Sequence, residues 1–436
     1  MVQSDPEIGN ESLYNQMRKL IVVPLKESAV STVIVIDALD ECEDEESTSA
    51  ILSVLGQFVS RIPKVKFFVT GRPEPRIQEG FRLPLLVKAT DIFVLHDVRR
   101  SLVDNDIRLF LNQSFLKLAH RRHGLDGWPT KEQLDLLCER ASGLFVYATA
   151  TVKFVDHRNN SPKKQLERLL QSPQSSAREG KTKFRADTTL DSLYMSIIQE
   201  AFGRDDPEDD PKVRSILGAV VLATNPLSPS TIATLLGFDT DDVFPPLLSV
   251  HSLLILREIN DPARSFHKSF PDFIVDPNRC TNKRFHVSPP DHHSQLLVNC
   301  LDLMSRTLEK NICKLPDTVA NSDVSDLKER TERYIDRALQ YACGSWHMHL
   351  VGARGASAHT LAITFALHHF LEKKFLFWLE VLSLLGAVRT AVDALRVTAA
   401  WLEVCQICAV DALPKFTQTR FRNHRPSTLP TSALAL

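Results

Sequence analysis

At 436 residues with 43% hydrophobic side chains, the chain is long enough for two to four domains with real cores, which excludes a disordered polypeptide. Its 52 basic and 53 acidic residues leave a formal net charge of −1, so no global field draws it to nucleic acid or to an anionic membrane. Eight scattered cysteines behind a polar, acidic N-terminus read as reduced thiols of a cytoplasmic protein without a secretory signal.

Leu13, Met17, Leu20 and Ile21 fall on one stripe, so the first expected element is an amphipathic helix that stops before Pro24 and packs on a sheet. The run Val33-Ile34-Val35-Ile36 follows. It has no polar alternation, which predicts a strand covered on both faces, as in a parallel sheet between helices. The strand ends in Asp37, with Asp40 and Glu41 just beyond, and ligands bind at the carboxyl ends of such strands. Asp37 stands there as a hard oxygen ligand for Mg²⁺, while Asp40 and Glu41 stand where an attacking water could be polarised. The same residues also read as a buried strand followed by an acidic, solvated helix start, which Cys42-Glu43-Asp44-Glu45-Glu46 continues.

Downstream, Ser47 to Ile62 has helical periodicity, and Val65-Lys66-Phe67-Phe68-Val69 is a second strand ending in Thr70-Gly71-Arg72-Pro73. The spacing is that of one strand-helix-strand unit. Pro73 and Pro75 predict an extended exit, and Ile92-Phe93-Val94-Leu95 a third strand. The hydrophobic strand, the DxxDE sequence and the TxRPEP sequence, in this order, resemble the Walker B and sensor 1 segments of a NACHT-type NTPase of the STAND class of P-loop switches. The resemblance implies two strands side by side, Asp37 at the Mg²⁺ of ATP or ADP, Asp40 and Glu41 at the water, and Arg72 facing the γ-phosphate.

From Arg99 onward the pattern is helical: Ser101 to His120, Lys131 to Ala141, Phe145 to Asp156, Pro162 to Leu170 and Leu190 to Phe202. The stretch around Gly143 resembles the Gly-x-Pro turn that the family places near the nucleotide base, but the proline is absent here. Gln171 to Thr182 reads as a loop. It contains Gly180-Lys181-Thr182, the tail of a phosphate-loop motif with no strand before it and Ser175 at the first glycine position, so it is not a phosphate cradle. No GxxxxGK[ST] occurs anywhere in the chain.

After an acidic linker, Arg204 to Pro211, the parts of a winged helix follow: helices Val213 to Ala223, Ser228 to Leu236 and Asp241 to Val250, with Ser228 and Asp241 as N-caps, then a hairpin of Leu253 to Leu256 and Arg264 to Phe266. The second and third of these helices carry no Lys or Arg, which argues against DNA as a partner. Phe266-His267-Lys268-Ser269-Phe270-Pro271-Asp272-Phe273 resembles the HxSFxDF segment that closes the winged helix of fungal-type NACHT proteins. That resemblance implies that His267 donates to the β-phosphate of ADP and that Asp272 braces the turn, whereas chemistry alone reads the stretch as a helix start with a buried histidine. Further helices are expected at Gln295 to Leu308, Val324 to Ala342, Thr360 to Leu371, Phe375 to Val388 and Ala391 to Val410, with a frayed tail from Leu413. The most apolar of them, Phe375 to Val388, carries Glu380 and is too short to cross a bilayer. Cys405-Gln406-Ile407-Cys408 lacks a second pair of ligands for zinc.

These expectations amount to a partial α/β P-loop sheet followed by mostly α-helical domains. The expected boundaries are 11–97 for the C-terminal part of a nucleotide-binding domain and 98–205 for a helical domain. A winged helix at 211–278, a second helical domain at 290–410 and a tail at 411–436 complete the division. By the family's strand order, 5-1-4-3-2, strands 1 and 2 would precede the first helix, where residues 1–12 are mostly polar, so a truncated sheet is expected. The resemblance implies a nucleotide-dependent signalling switch that binds ATP or ADP, opens and self-associates, here without its phosphate loop and with no ATPase activity of its own. The alternative is a non-catalytic helical scaffold that binds protein partners.

Overall fold

The computed structural model describes residues 8–9, 11–28, 30–42, 45–122, 124–125, 127–157, 161–171, 182–203, 210–316, 324–354 and 360–412. The sequence readings for the loop at 172–181, the linker at 204–209 and the tail from 413 lie outside them. The chain is mostly helical and forms two compact units, residues 1–98 and residues 99–436.

In the first unit, helix α1 (Leu13–Gln16) runs through a π-helical stretch, Met17–Val22, into α2 (Val23–Glu27). The expected stop before Pro24 does not occur. Proline has no N–H to donate, and the wider turn, in which the Val23 N–H reaches back to the Arg18 carbonyl, carries the helix through it. Strand β1 (Thr32–Ile36) leads to α3 (Glu45–Phe58) and back to β2 (Val65–Val69), which pairs with β1 in parallel, Ile34 opposite Phe67 and Val35 opposite Phe68. The strand-helix-strand unit is as the periodicity predicts.

Burial differs from expectation. One sheet face is covered: Val65 packs with Val22, Val54, Phe58 and Ile62, and Ile34 and Phe67 lie against this cluster. The other face leaves Val33, Val35 and Phe68 exposed at 65%, 63% and 60%, because the crossover helix and the first helix both pack on the same side. The extended exit is also corrected. Pro75 opens helix α4 (Pro75–Phe81), where its fixed φ and missing N–H suit the first turn, and α5 (Pro84–Val87) starts on a second proline. Ile92 to Leu95 do not form the expected third strand. Phe93 is 77% exposed, and β-propensity without a pairing partner does not make a strand.

The second unit is a succession of helices around one continuous core. Helices α6 (Arg100–Arg121), α7 (Lys131–Ala141), α8 (Phe145–Val155), α9 (Pro162–Gln171) and α10 (Thr182–Ala201) come first. Between α7 and α8, Ser142 and Gly143 are both left-handed, at φ 51° and 76°, and the positive φ favours glycine at Gly143.

Three helices, α11 (Asp210–Leu222), α12 (Pro229–Leu236) and α13 (Thr240–Ser249), then precede a short antiparallel hairpin, β3 (Leu254–Ile255) with β4 (Arg264–Ser265). Ser228 caps α12 by accepting from the Thr231 N–H at 3.3 Å. Asp241 is not the cap of α13. That position falls to Asp239, whose side chain makes no capping bond, and Asp241 and Asp242 lie in the first turn, where carboxylates favour the positive end of the helix.

Helix α14 (Ser269–Val275) follows the hairpin, and α15 (Pro289–Thr307), α16 (Leu327–Tyr334), α17 (Arg337–Gly352), α18 (Thr360–Lys373), α19 (Phe375–Leu384) and α20 (Arg389–Ala412) complete the unit. The single helix expected over Val324 to Ala342 is two. Ile335 inserts into the core and Asp336 caps α17, accepting from the Leu339 N–H at 2.7 Å. Trp346, Phe370 and Trp378 make a triangle of edge-on rings, and the Trp378 indole donates to the Cys343 carbonyl at 2.9 Å. Among the described residues no helix is long and apolar enough to cross a membrane.

Five histidines of this unit, His251, His292, His293, His347 and His349, are held below the ordinary imidazole range by burial. His349, pushed down to about 3, shares ring hydrogen bonds with His293 at 2.8 Å and with the Tyr341 hydroxyl at 2.7 Å. The unfolded chain takes up protons near the ordinary value of 6.5 while the folded one stays neutral. This stabilisation is therefore complete above 6.5 and is lost as pH falls from 6.5 toward 3. Urea unfolding followed by tryptophan fluorescence should show the midpoint falling from about pH 7 to about pH 5. A midpoint that stays level over that range would contradict the buried neutral pair.

Candidate functional site

The carboxyl ends of β1 and β2 form one small polar edge. Thr70, just past β2, donates its N–H to the Ile36 carbonyl at 2.9 Å and accepts the Leu39 N–H at 2.9 Å. Its hydroxyl accepts the Ala38 N–H at 2.9 Å and donates to the Asp37 carboxylate. These bonds hold Ala38 in the left-handed region, at φ 54°, an uncommon conformation for a residue with a Cβ. The turn gives the carboxylates different surroundings. Asp37 and Glu41 are exposed, whereas Asp40 is 5% exposed and turned back beneath the exit of β2.

There one Asp40 oxygen accepts the Arg72 backbone N–H at 3.1 Å, and the other lies 3.4 Å from the Arg72 Nε. Arg76, the second residue of α4, donates to the Asp40 carbonyl at 2.9 Å and to Glu74 at 2.9 Å. The sequence therefore brings Asp37, Asp40, Glu41 and Arg72 to one edge. Thr70, which ties that edge, and Arg76 had no role in the sequence reading. Thr70 was visible only as the first letter of TxRPEP.

The donor set at this edge is hard oxygen. Asp37 offers one exposed carboxylate beside a hydroxyl, which fits a Mg²⁺ that keeps several waters and takes one or two protein carboxylates along with phosphate oxygens. Among the described residues no cluster of three or more His, Cys, Asp or Glu could hold a metal unaided.

His267 belongs to the second unit, in the turn between β4 and α14. It is exposed rather than buried, and its Nδ1 accepts the Ser269 N–H at 3.1 Å.

The pattern of matches points to one class. Residues 1–72 match the family model described as Nephrocystin 3, N-terminal. Over 393 residues the chain is 24% identical to the vegetative incompatibility protein HET-E-1 of Podospora anserina, a match covering 84% of this chain and 26% of the relative. The chain thus spans about a quarter of the length of the curated relative it matches. No solved structure matches it. The two matches support a NACHT-type relative of fungal NLR-like proteins.

Replacing Thr70 with valine keeps its shape but leaves the Ala38 N–H without an acceptor, at a cost of about 1–3 kcal/mol. Amide exchange at Ala38 and Leu39 should then accelerate ~10-fold or more in Thr70→Val and stay near wild type in Thr70→Ser. Equal exchange in all three proteins would show that the hydroxyl does not tie the strand ends.

Proposed function

We propose that this chain is the Walker B, sensor 1 and helical portion of a NACHT-type signalling NTPase, a switch whose state depends on bound ATP or ADP. The observation that carries the reading is the shared edge of two parallel strands, where an exposed carboxylate, Asp37, lies on one strand end and a carboxylate-held Arg72 on the next. In this reading Asp37 is the Mg²⁺ ligand, Glu41 and Asp40 are the acidic pair at the water, and Arg72 faces the terminal phosphate. Asp40 acts in part through Arg72, fixing its backbone and guanidinium. A bound Mg²⁺ would supply charge neutralisation of the phosphate oxygens. The helices and hairpin from α11 to β4 serve as the winged helix, and His267 favours the ADP state by donating to a phosphate oxygen. Self-association or protein partners would be met by the helical surfaces.

Positioning of a triphosphate needs a backbone nest and a lysine, and no GxxxxGK[ST] is present in the 436 residues. The purified chain is therefore expected to show no ATP turnover above background. Turnover that Asp40→Ala abolishes would contradict this. A donor that binds one state selectively shifts the balance between states, so His267→Ala should weaken ADP binding and raise self-association, as read by titration and by light scattering. Unchanged ADP affinity at matched stability would return His267 to a purely structural role and favour the scaffold reading.

A further inference from the structure

The C-terminal end of α8 meets the hairpin of β3 and β4 through four side chains that the nucleotide reading does not use. His251, just after α13, donates from its Nε2 to the Lys153 carbonyl at 3.1 Å, because a carbonyl can only accept. In the neutral ring Nδ1 then carries the lone pair. That nitrogen is buried and has no hydrogen-bond partner among the described residues, and the same is true of Nδ1 of His157. The His157 and His251 rings lie against each other, with centroids 4.9 Å apart. Lys153 completes the joint from the same helix end: its ammonium lies 3.2 Å from the centre of the Phe266 ring. Phe266 in turn donates its N–H to the Leu253 carbonyl at 2.8 Å, two residues beyond His251, so α8 grips both sides of the hairpin.

The charges around this joint are one-sided. Those that act on the His251 ring are His157 and Lys153, both basic, and burial of Lys153 is offset by no carboxylate. Asp156, at the end of α8, is taken by Arg121 at 2.9 Å and Arg122 at 3.7 Å, both from the end of α6. On α10, which packs against α13, Asp191 is held by Arg279 at 2.6 Å and Glu200 by Arg168 at 3.2 Å. Asp239, Asp241 and Asp242 belong to the opposite end of α13, ~15 Å away along the helix. Helix α12 carries no charged residue, and β4 adds only the exposed Arg264.

We propose that Lys153, His157, His251 and Phe266 form an acid-released clasp, in which a proton on Nδ1 of His251 detaches the hairpin from the end of α8 while the helices on either side stay folded. The device goes beyond the nucleotide reading and does not depend on it. The added proton creates a buried N–H with no acceptor and a second cation beside the Lys153 ammonium, and detachment lets water meet both. Burial, with His157 and Lys153 beside it, holds His251 below the ordinary imidazole value of 6.5. The clasp is therefore complete above 6.5 and is lost as pH falls below it.

The test uses the Lys153 side chain as its own reporter, because a methylene group above an aromatic ring resonates upfield of its ordinary position. The full chain, labelled with ¹³C at lysine, is followed by ¹H–¹³C correlation from about pH 8 to about pH 5, with Lys153→Met used for assignment. Wild type should show an upfield ε-methylene signal at the alkaline end that returns to the ordinary lysine position on acidification, while tryptophan fluorescence stays level. His251→Gln keeps a donor for the Lys153 carbonyl but takes up no proton, so its signal should remain upfield throughout. His157→Phe keeps the ring stack, removes one basic neighbour and should hold the signal to lower pH, which covers the case in which His251→Gln does not fold. An upfield signal that persists to the acid end in wild type would overturn the proposal. So would a loss that coincides with a change in tryptophan fluorescence, or one that occurs at the wild-type pH in both variants.

Discussion

The carboxyl ends of β1 and β2 are tied by Thr70, whose amide, carbonyl and hydroxyl together bond Ile36, Asp37, Ala38 and Leu39. This tie decides what the acidic strand can do. Two carboxylates only three positions apart have opposite surroundings because Ala38 is held in a left-handed turn between them. Asp37 stays in solvent at the strand end, and Asp40 is folded under β2, where its charge is met by Arg72. A buried carboxylate is tolerated only with such partners, so the turn and the Asp40–Arg72 pair require each other. Without the tie, the acidic run would be a solvated helix start.

The second unit uses buried polar groups in the same way, as links between helices. His293 and His349 join α15 to α17, Tyr341 extends the link to the Thr224 amide beyond α11, and Tyr194 with Ser269 joins α10 to the turn that carries His267. Each group is neutral and nearly satisfied, which is what makes the arrangement specific in its geometry and sensitive to acid.

Much of this was legible in the sequence. Unbroken apolar runs and period-3.6 hydrophobic patterns gave the strand-helix-strand unit and most helices to within a few residues, and it was the family resemblance that implied one edge for Asp37, Asp40, Glu41 and Arg72. The failures have physical causes. Val33, Val35 and Phe68 look like a doubly covered sheet because composition records apolarity and not the side on which helices pack. Ile92 to Leu95 have strand propensity but no partner, and Pro75 begins a helix although it was read as keeping the chain extended. The break at Ile335 and Asp336 was hidden in a charged, periodic run in which a capping aspartate resembles any other. The bonds made by Thr70, Arg76, Tyr194 and Ser269 were not legible because they join positions 32, 36 and 75 residues apart, and a local pattern holds no trace of such pairing.

The central claim is that the edge formed by Asp37, Thr70 and Arg72 faces a metal-bound phosphate. Paramagnetic broadening by Mn²⁺ in the presence of ATP tests it most directly, because the method registers even weak binding. The account predicts that backbone amides of Asp37, Ala38, Thr70, Gly71 and Arg72 broaden first, and that Asp37→Asn removes the effect at that edge. Broadening that spreads evenly over acidic surface residues, or that survives Asp37→Asn unchanged, would contradict it.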